Sequence, residues 1–281
     1  MTGLEEIRAA SAGKLEVLRR AVAATGGAVV AFSGGADSAL VLAVARQVLG
    51  DRTLALTAHS PSVPQSERAE ARALAGALGV RHLEVTSREG DDPDYRRNGT
   101  DRCYFCKREL YRLCAEAARE TGLPAVVDGC NADDLRDHRP GRRAARERDV
   151  RSPLAEAGLT KAEVRAWSAA YGLPTWDKPQ MACLASRLPY GTEVTPERLG
   201  QVERAEAAVR ALGFRDFRVR WHGVVGRVEV SAGEMERAFE RRDELAGAVK
   251  GAGFRLAALD LEPFRSGRMN EAAGLGLPVV G

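Results

Sequence analysis

Long apolar runs are absent from this sequence of 281 residues. The longest, such as Ala28 to Phe32 and Leu54 to Ala58, have strand length and fall far short of a bilayer span. Met1 to Arg20 mixes charges of both signs with no apolar run, so no secretory signal is read there and a cytoplasmic location is expected. Net charge is also scarce: 42 basic against 39 acidic residues leave +3, which gives no compositional signal for nucleic acid or membrane. Any basic site must be local. Biased tracts are missing too, and an apolar share of 44% with 29% charged residues is that of an ordinary soluble globular protein. Cysteine is limited to five residues, and in a reducing compartment paired thiols serve as metal ligands or chemistry more often than as disulfides.

What is there alternates. The run Ala28 to Phe32, the turn Ser33-Gly34-Gly35-Ala36-Asp37-Ser38 and the helical pattern Ala39 to Leu49 read as strand, tight loop and helix. Further strands are expected at Leu54 to Ala58, His82 to Val85 and Ala125 to Asp128, with helices at Gln65 to Leu78 and Tyr104 to Glu120. Such alternation predicts an α/β fold with a parallel sheet covered by helices on both faces. From Leu135 to Arg151 the pattern fails and Arg139, Arg142, Arg143, Arg146, Arg148 and Arg151 accumulate, which reads as a mobile loop over a site. A different order begins near Thr192: a helix capped at Thr195, alternating strands at Phe217 to Trp221 and Arg227 to Val230, a helix from Gly233 to Val249, and a strand at Leu256 to Leu261. The expected domains are therefore residues 1–191 and a small α+β domain at 192–281.

The turn after the first strand carries the strongest chemical signal. It delivers the chain to a helix N-terminus, where free N–H groups and the positive end of the helix dipole converge on an anion. Gly34 and Gly35 let backbone approach phosphate, Ser33 and Ser38 offer hydroxyls, and Asp37 can cap the helix or help hold magnesium. No lysine follows the glycines, so this is not the Walker loop. The bland alternative is a plain capped strand-to-helix turn.

Cys103 and Cys106 stand three apart at the start of a helix, so both thiols face one way. A CxxC pair is ambiguous among zinc, iron–sulfur and redox chemistry, and with Cys183 it makes three thiols, enough for a [4Fe–4S] cluster with one open iron. The bland reading, small buried apolar residues, suits Cys114.

The turn Ser33 to Ser38 resembles the SGGxDS signature of the PP-loop ATP pyrophosphatases, of the adenine nucleotide alpha hydrolase-like fold. That resemblance implies ATP split to AMP and pyrophosphate, the pyrophosphate on the loop, adenine near Thr57 to Ser60 with His59 among them, and Asp134 at the nucleotide. Arg102-Cys103-Tyr104-Phe105-Cys106-Lys107, Asp128-Gly129-Cys130-Asn131-Ala132-Asp133-Asp134, Asp137-His138-Arg139-Pro140-Gly141, Cys183-Leu184-Ala185-Ser186-Arg187, Arg218-Val219-Arg220 and Arg265-Ser266-Gly267-Arg268-Met269-Asn270 are together similar to one such family, LarE. The match runs in order along nearly the whole chain. It implies a sulfur transferase that adenylates carboxylates of pyridinium-3,5-biscarboxylic acid mononucleotide and turns them into thiocarboxylates for the nickel-pincer cofactor of lactate racemase. ATP and Mg2+ are then expected. Family members draw sulfur either from one cysteine, matching Cys183, or from a [4Fe–4S] cluster on three, matching Cys103, Cys106 and Cys183; all three are present, which favours the cluster. Cys130 stands where Thr is more usual.

The same resemblance gives Lys107 and Arg187 a catalytic, phosphate-neutralising role beside Cys183. An isolated Lys or Arg is otherwise a solvated surface charge. Arg218 and Arg220 alternate on a strand, so both face one side, and the resemblance implies that they fork around a nucleotide phosphate with Glu229 nearby on the partner strand. The resemblance further implies a homo-oligomer, trimer or hexamer, with no nucleic-acid or membrane partner. Two enzyme rivals are a PP-loop tRNA thiolase, which needs a broad basic surface, and an ammonia-dependent synthetase of the NAD or GMP type, which gives no reason for three cysteines. A binding module would hold ATP without releasing pyrophosphate.

Overall fold

The computed structural model describes residues 2–135, 140–179 and 182–265, together with Arg268 and Gly274. Two compact units form. One comprises residues 1–60, 65–89 and 103–181, the other 61–64, 90–102 and 182–281.

The first unit is an α/β sheet. Strands β1 (Ala28–Ala31), β2 (Thr53–His59), β3 (Arg81–Thr86) and β4 (Ala125–Val127) lie in the order β3-β2-β1-β4, all parallel. β1 is buried along its whole length, as its unbroken Ala-Val-Val-Ala sequence requires for a central strand covered on both faces. Helices α1 (Thr2–Ala23), α2 (Ala36–Leu49), α3 (Gln65–Ala77), α4 (Arg102–Thr121) and α5 (Lys161–Ala170) accompany the strands. Leu18, Val30, Leu40, Leu42, Val44, Leu154 and Val164 meet in one core that joins α1, α2, α5 and β1. Thr160 and Glu163 form a reciprocal capping box that starts α5. No described helix is long and apolar enough to cross a membrane.

The stretch Leu135 to Arg151 corrects the reading of a patternless loop. Gly141–Arg146 is a short helix, Arg143 stacks 3.7 Å from the Tyr104 ring centre, and Arg151 bridges in parallel to Val127. Residues 136–139, with Asp137, His138 and Arg139, lie outside the described residues.

The second unit holds α6 (Pro196–Ala211), an antiparallel hairpin of β5 (Phe217–His222) and β6 (Val225–Val230), α7 (Arg242–Gly251) and β7 (Leu256–Leu259), which pairs in parallel with β6. The hairpin turns through Gly223 at φ +65, a left-handed conformation that favours glycine. Phe214, Phe217, Val219, Val228, Leu245, Val249 and Phe254 make its core. The single helix expected from Gly233 to Val249 is two, Met235–Glu240 and α7. Arg241 breaks it at φ −97, ψ 25, its guanidinium drawn onto the Leu212 carbonyl.

Candidate active site

In an open parallel sheet, ligands bind beyond the carboxyl ends of the strands where the strand order reverses. Here the order reverses between β1 and β4. Both strands end there in the segments that the sequence singles out: Ser33 to Ser38 after β1, and Asp128 to Asp134 after β4.

The loop is built from backbone and small side chains. Gly34 sits at φ +74, and a Cβ there would lie 3.1 Å from that of Ala71, so both conformation and space require glycine. Gly35 has φ −81 and a Cβ would meet only Ser33 Oγ, at 3.4 Å. It is the N-cap of α2, and no described side chain caps that helix. Ser33 N–H donates to Ser38 Oγ at 3.3 Å, and Ser38 Oγ donates to the Gly35 carbonyl at 3.2 Å, which holds the turn closed. From the other side, Gly129 passes so near that a Cβ would lie 2.7 Å from Ser38 N. That approach places the β4 segment directly on the first turn of α2.

Asp37 does not face solvent alone. Lys161, the first residue of α5, forms an ion pair with its Oδ2, and Asn131 Nδ2 donates to its Oδ1 at 3.1 Å. Asn131 also organises its own loop, accepting from Asp133 and Asp134 N–H on Oδ1 while its N–H donates to Asp134 Oδ2 at 3.1 Å. Asp128 is fixed by Tyr111 O–H at 2.6 Å and Ser152 Oγ at 2.8 Å. Burial, followed by the charge of Asp128, pushes the Tyr111 phenol well above its ordinary range, so it stays a donor. Sequence reading missed Lys161, although the capping box Thr160-x-x-Glu163 before it was a visible helix signal.

The remaining candidates of this unit sit as follows. His59, at the end of β2, meets Glu84 Oε2 through Nε2 at 2.5 Å. Lys107, half-buried in the first turns of α4, has its Nζ 5.6 Å from the Tyr111 ring centre, and Gly141 packs onto its stem. Cys103 is exposed and Cys106 half-buried, while Cys114 is fully buried and its thiol is pushed up to about 12 by that burial.

Cys183 belongs to the second unit. It precedes a short 3-10 turn, Leu184–Arg187. Arg102 Nη2 lies 3.9 Å from its sulfur while Nη1 donates to the Ala185 carbonyl at 2.8 Å. Arg187 has no exposed surface. It grips Glu206 at 2.8 and 3.0 Å in a two-pronged pair and donates to the carbonyls of Ala182 and Cys183. Its guanidinium thus holds the cysteine's backbone. Nearby on β5, Arg220 pairs with Glu229 at 2.9 Å and donates to the Ser186 carbonyl, and Arg218 stacks 4.5 Å from the Phe264 ring centre. Both arginines and Glu229 are buried. Burial, then the positive charge of Arg187, lowers Arg218 to about 10. Arg227 and Arg268 gather at Asp260 beside this group. Ser266, Gly267, Met269 and Asn270 lie outside the described residues.

Among the described residues no group of three or more His, Cys, Asp or Glu side chains is arranged to hold a metal ion. Cys103 and Cys106 fall in one unit and Cys183 in the other. No cysteine is in a disulfide.

A parallel sheet whose SGGxDS loop opens onto an uncapped helix at the switch point defines a PP-loop nucleotide-hydrolysing domain. A family model described as asparagine synthase matches residues 15–212. The chain is 38% identical over 243 residues, 86% of its own length and 88% of the relative's, to the pyridinium-3,5-bisthiocarboxylic acid mononucleotide synthase of Lactiplantibacillus plantarum. It is 44% identical over 259 residues to an uncharacterized protein of Synechocystis, covering 92% of this chain and 97% of that one. An uncharacterized protein of Methanocaldococcus jannaschii is 26% identical over 242 residues, 85% of this chain and 90% of that one. The chain belongs to the PP-loop class and, within it, to the LarE family of ATP-dependent sulfur transferases.

Proposed function

We propose that this chain adenylates the carboxylates of pyridinium-3,5-biscarboxylic acid mononucleotide and converts them to thiocarboxylates for the nickel-pincer cofactor. The observation that carries this reading is the glycine-built loop at the sheet's switch point, in a chain that matches a synthase of the bisthiocarboxylic product over most of its length. A substrate carboxylate oxygen attacks the α-phosphorus of ATP, the bond to the bridging oxygen breaks, and pyrophosphate leaves. A sulfur nucleophile then attacks the acyl carbon, and AMP departs with the former carboxylate oxygen.

The loop Ser33 to Ser38 receives the pyrophosphate at the N-terminus of α2, with Lys161 and Lys107 opposing its developing charge. His59 and Asp134 serve the nucleoside side. Mg2+ fits at Asp37 once Lys161 gives up its carboxylate oxygen. Arg218 and Arg220, the latter held by Glu229, take the substrate's phosphate: three buried guanidiniums, counting Arg187, stand with two buried carboxylates, Glu206 and Glu229. Arg187 acts as a positioning residue for Cys183, and a cytoplasmic trimer or hexamer completes the reading.

Cys103, Cys106 and Cys183 are the soft donors that suit a [4Fe–4S] cluster, since none is tied in a disulfide and the first two stand one helical turn apart within reach of solvent. Bound there, the cluster supplies an open iron site for sulfide. Anaerobically prepared protein is expected to contain iron and sulfide; their absence, with unchanged activity of Cys103→Ala and loss of the mass of hydrogen sulfide from the protein after turnover, would assign the sulfur to Cys183 itself. Cys183→Ser is expected to keep ATP cleavage and to stop thiocarboxylate formation, read by product mass spectrometry. Full sulfur transfer by that variant would overturn the role of Cys183.

A further inference from the structure

β2 and β3 place a polar row on one sheet face. Ala55 pairs with His82, Thr57 with Glu84 and His59 with Thr86, so Thr57, His59, His82 and Glu84 share that face. Two histidines therefore stand side by side, with different hydrogen bonding. Thr57 Oγ1 donates to the Phe32 carbonyl at 2.9 Å, so at 2.8 Å it accepts from His82 Nε2, which has its partner within the fold. His59 is not. Its Nε2 meets Glu84 at 2.5 Å, while its Nδ1 is buried and has no hydrogen-bond partner among the described residues.

Glu84 decides which nitrogen of His59 carries the proton. Arg72, on α3, takes both of its oxygens at 2.6 and 2.8 Å, and this pairing holds the carboxyl at about 2. Glu84 is then only an acceptor, so Nε2 of His59 is the donor, and the uncharged form of the ring with its proton on Nε2 has Nδ1 as a bare acceptor. The position is informative: His59 is the last residue of β2, and β2 lies beside β1, which opens into the phosphate loop.

We propose that His59 Nδ1 is the acceptor for a donor group of the bound nucleoside, and that Glu84 and Arg72 are positioning residues that fix the required tautomer. This rests on the nucleotide-binding reading above. The donor is the 6-amino group of a purine or a ribose hydroxyl. A 6-oxo purine would set oxygen against a nitrogen lone pair, so the first case makes this pair of residues the filter for ATP.

The test is calorimetric binding of α,β-methylene-ATP to the full-length protein, compared with its inosine, 2′-deoxy and 3′-deoxy counterparts. Wild type should bind one of the three about tenfold or more weakly than the parent, because a site built around one hydrogen bond rejects the analogue that lacks it. His59→Leu should bind all four within about twofold of one another, the spread left when no hydrogen bond discriminates. Glu84→Gln, whose amide can donate to Nε2 and release the other tautomer, and Arg72→Met should narrow the ratio at unchanged melting temperature, which keeps the test open if His59→Leu does not fold. In 15N-histidine spectra the Nδ1 resonance of His59 should have the position of an unprotonated nitrogen and should shift with the parent nucleotide. Wild-type ratios retained in His59→Leu and Glu84→Gln, with nucleotide still bound, would overturn this inference alone. No binding of any of the four by wild type would overturn the nucleotide reading itself.

Discussion

The phosphate loop of the first unit and the arginine cluster of the second handle charge in opposite ways. The loop offers backbone N–H groups framed by glycines and serines, with no arginine in it, so its positive potential comes from helix geometry. The cluster buries full charges, and partners from other elements meet them: Glu206 meets Arg187, and Glu229 and the Ser186 carbonyl meet Arg220. A loop of the first kind is sensitive to shape, and one added methyl group harms it. A cluster of the second kind tolerates shape better but is sensitive to charge balance.

The largest expected effect tests the cluster. Glu206→Ala strands buried Arg187 and should cost about 3–5 kcal/mol, seen as a large fall in melting temperature, whereas a paired Arg187→Met, Glu206→Leu change should recover most of it. Next comes the loop. Gly129→Ala drives a methyl group against Ser38 N, and Gly34→Ala forces a left-handed alanine, each costing about 1–3 kcal/mol and removing pyrophosphate release. Gly35→Ala should do less, because its backbone is ordinary and its space nearly sufficient. Lys161→Ala, which leaves Asp37 with Asn131 alone, should weaken nucleotide binding by about 1–2 kcal/mol in a titration while the fold persists.

The smallest effect is one of pH. Burial lowers His82 below its ordinary 6.5, so its contribution to stability is present above 6.5 and is lost as pH falls through the depressed folded value. Denaturation midpoints between pH 7 and 5 should therefore drop more for wild type than for His82→Gln; equal slopes would remove His82 from the acid response.

Legibility followed the same division. The loop, its flanking strand and helix, and the CxxC at the head of α4 are consecutive in sequence, so periodicity and turn chemistry expose them. Lys161 lies 124 residues from Asp37, and nothing local announces their pairing. Arg187 reads as a phosphate ligand by motif, yet its partner Glu206 stands a full turn-and-helix away and commits the guanidinium inside the unit. The boundary at 191/192 likewise follows a change of pattern in sequence. The compact units also draw residues 61–64 and 90–102 to the second, a placement set by contacts such as Leu184 N–H to the Ser62 carbonyl at 2.9 Å and Val194 N–H to the Arg96 carbonyl at 2.8 Å.

In the proposed reaction ATP bound at the loop from Ser33 to Ser38 is cleaved between the α- and β-phosphates to activate a carboxylate. Pyrophosphate and AMP release by the purified full-length protein with Mg-ATP, measured with and without pyridinium-3,5-biscarboxylic acid mononucleotide, tests it most directly. Equimolar AMP and pyrophosphate are expected, dependent on the dicarboxylate nucleotide and lost in Gly34→Ala. Release of ADP and phosphate, or pyrophosphate release undiminished in Gly34→Ala, would contradict it.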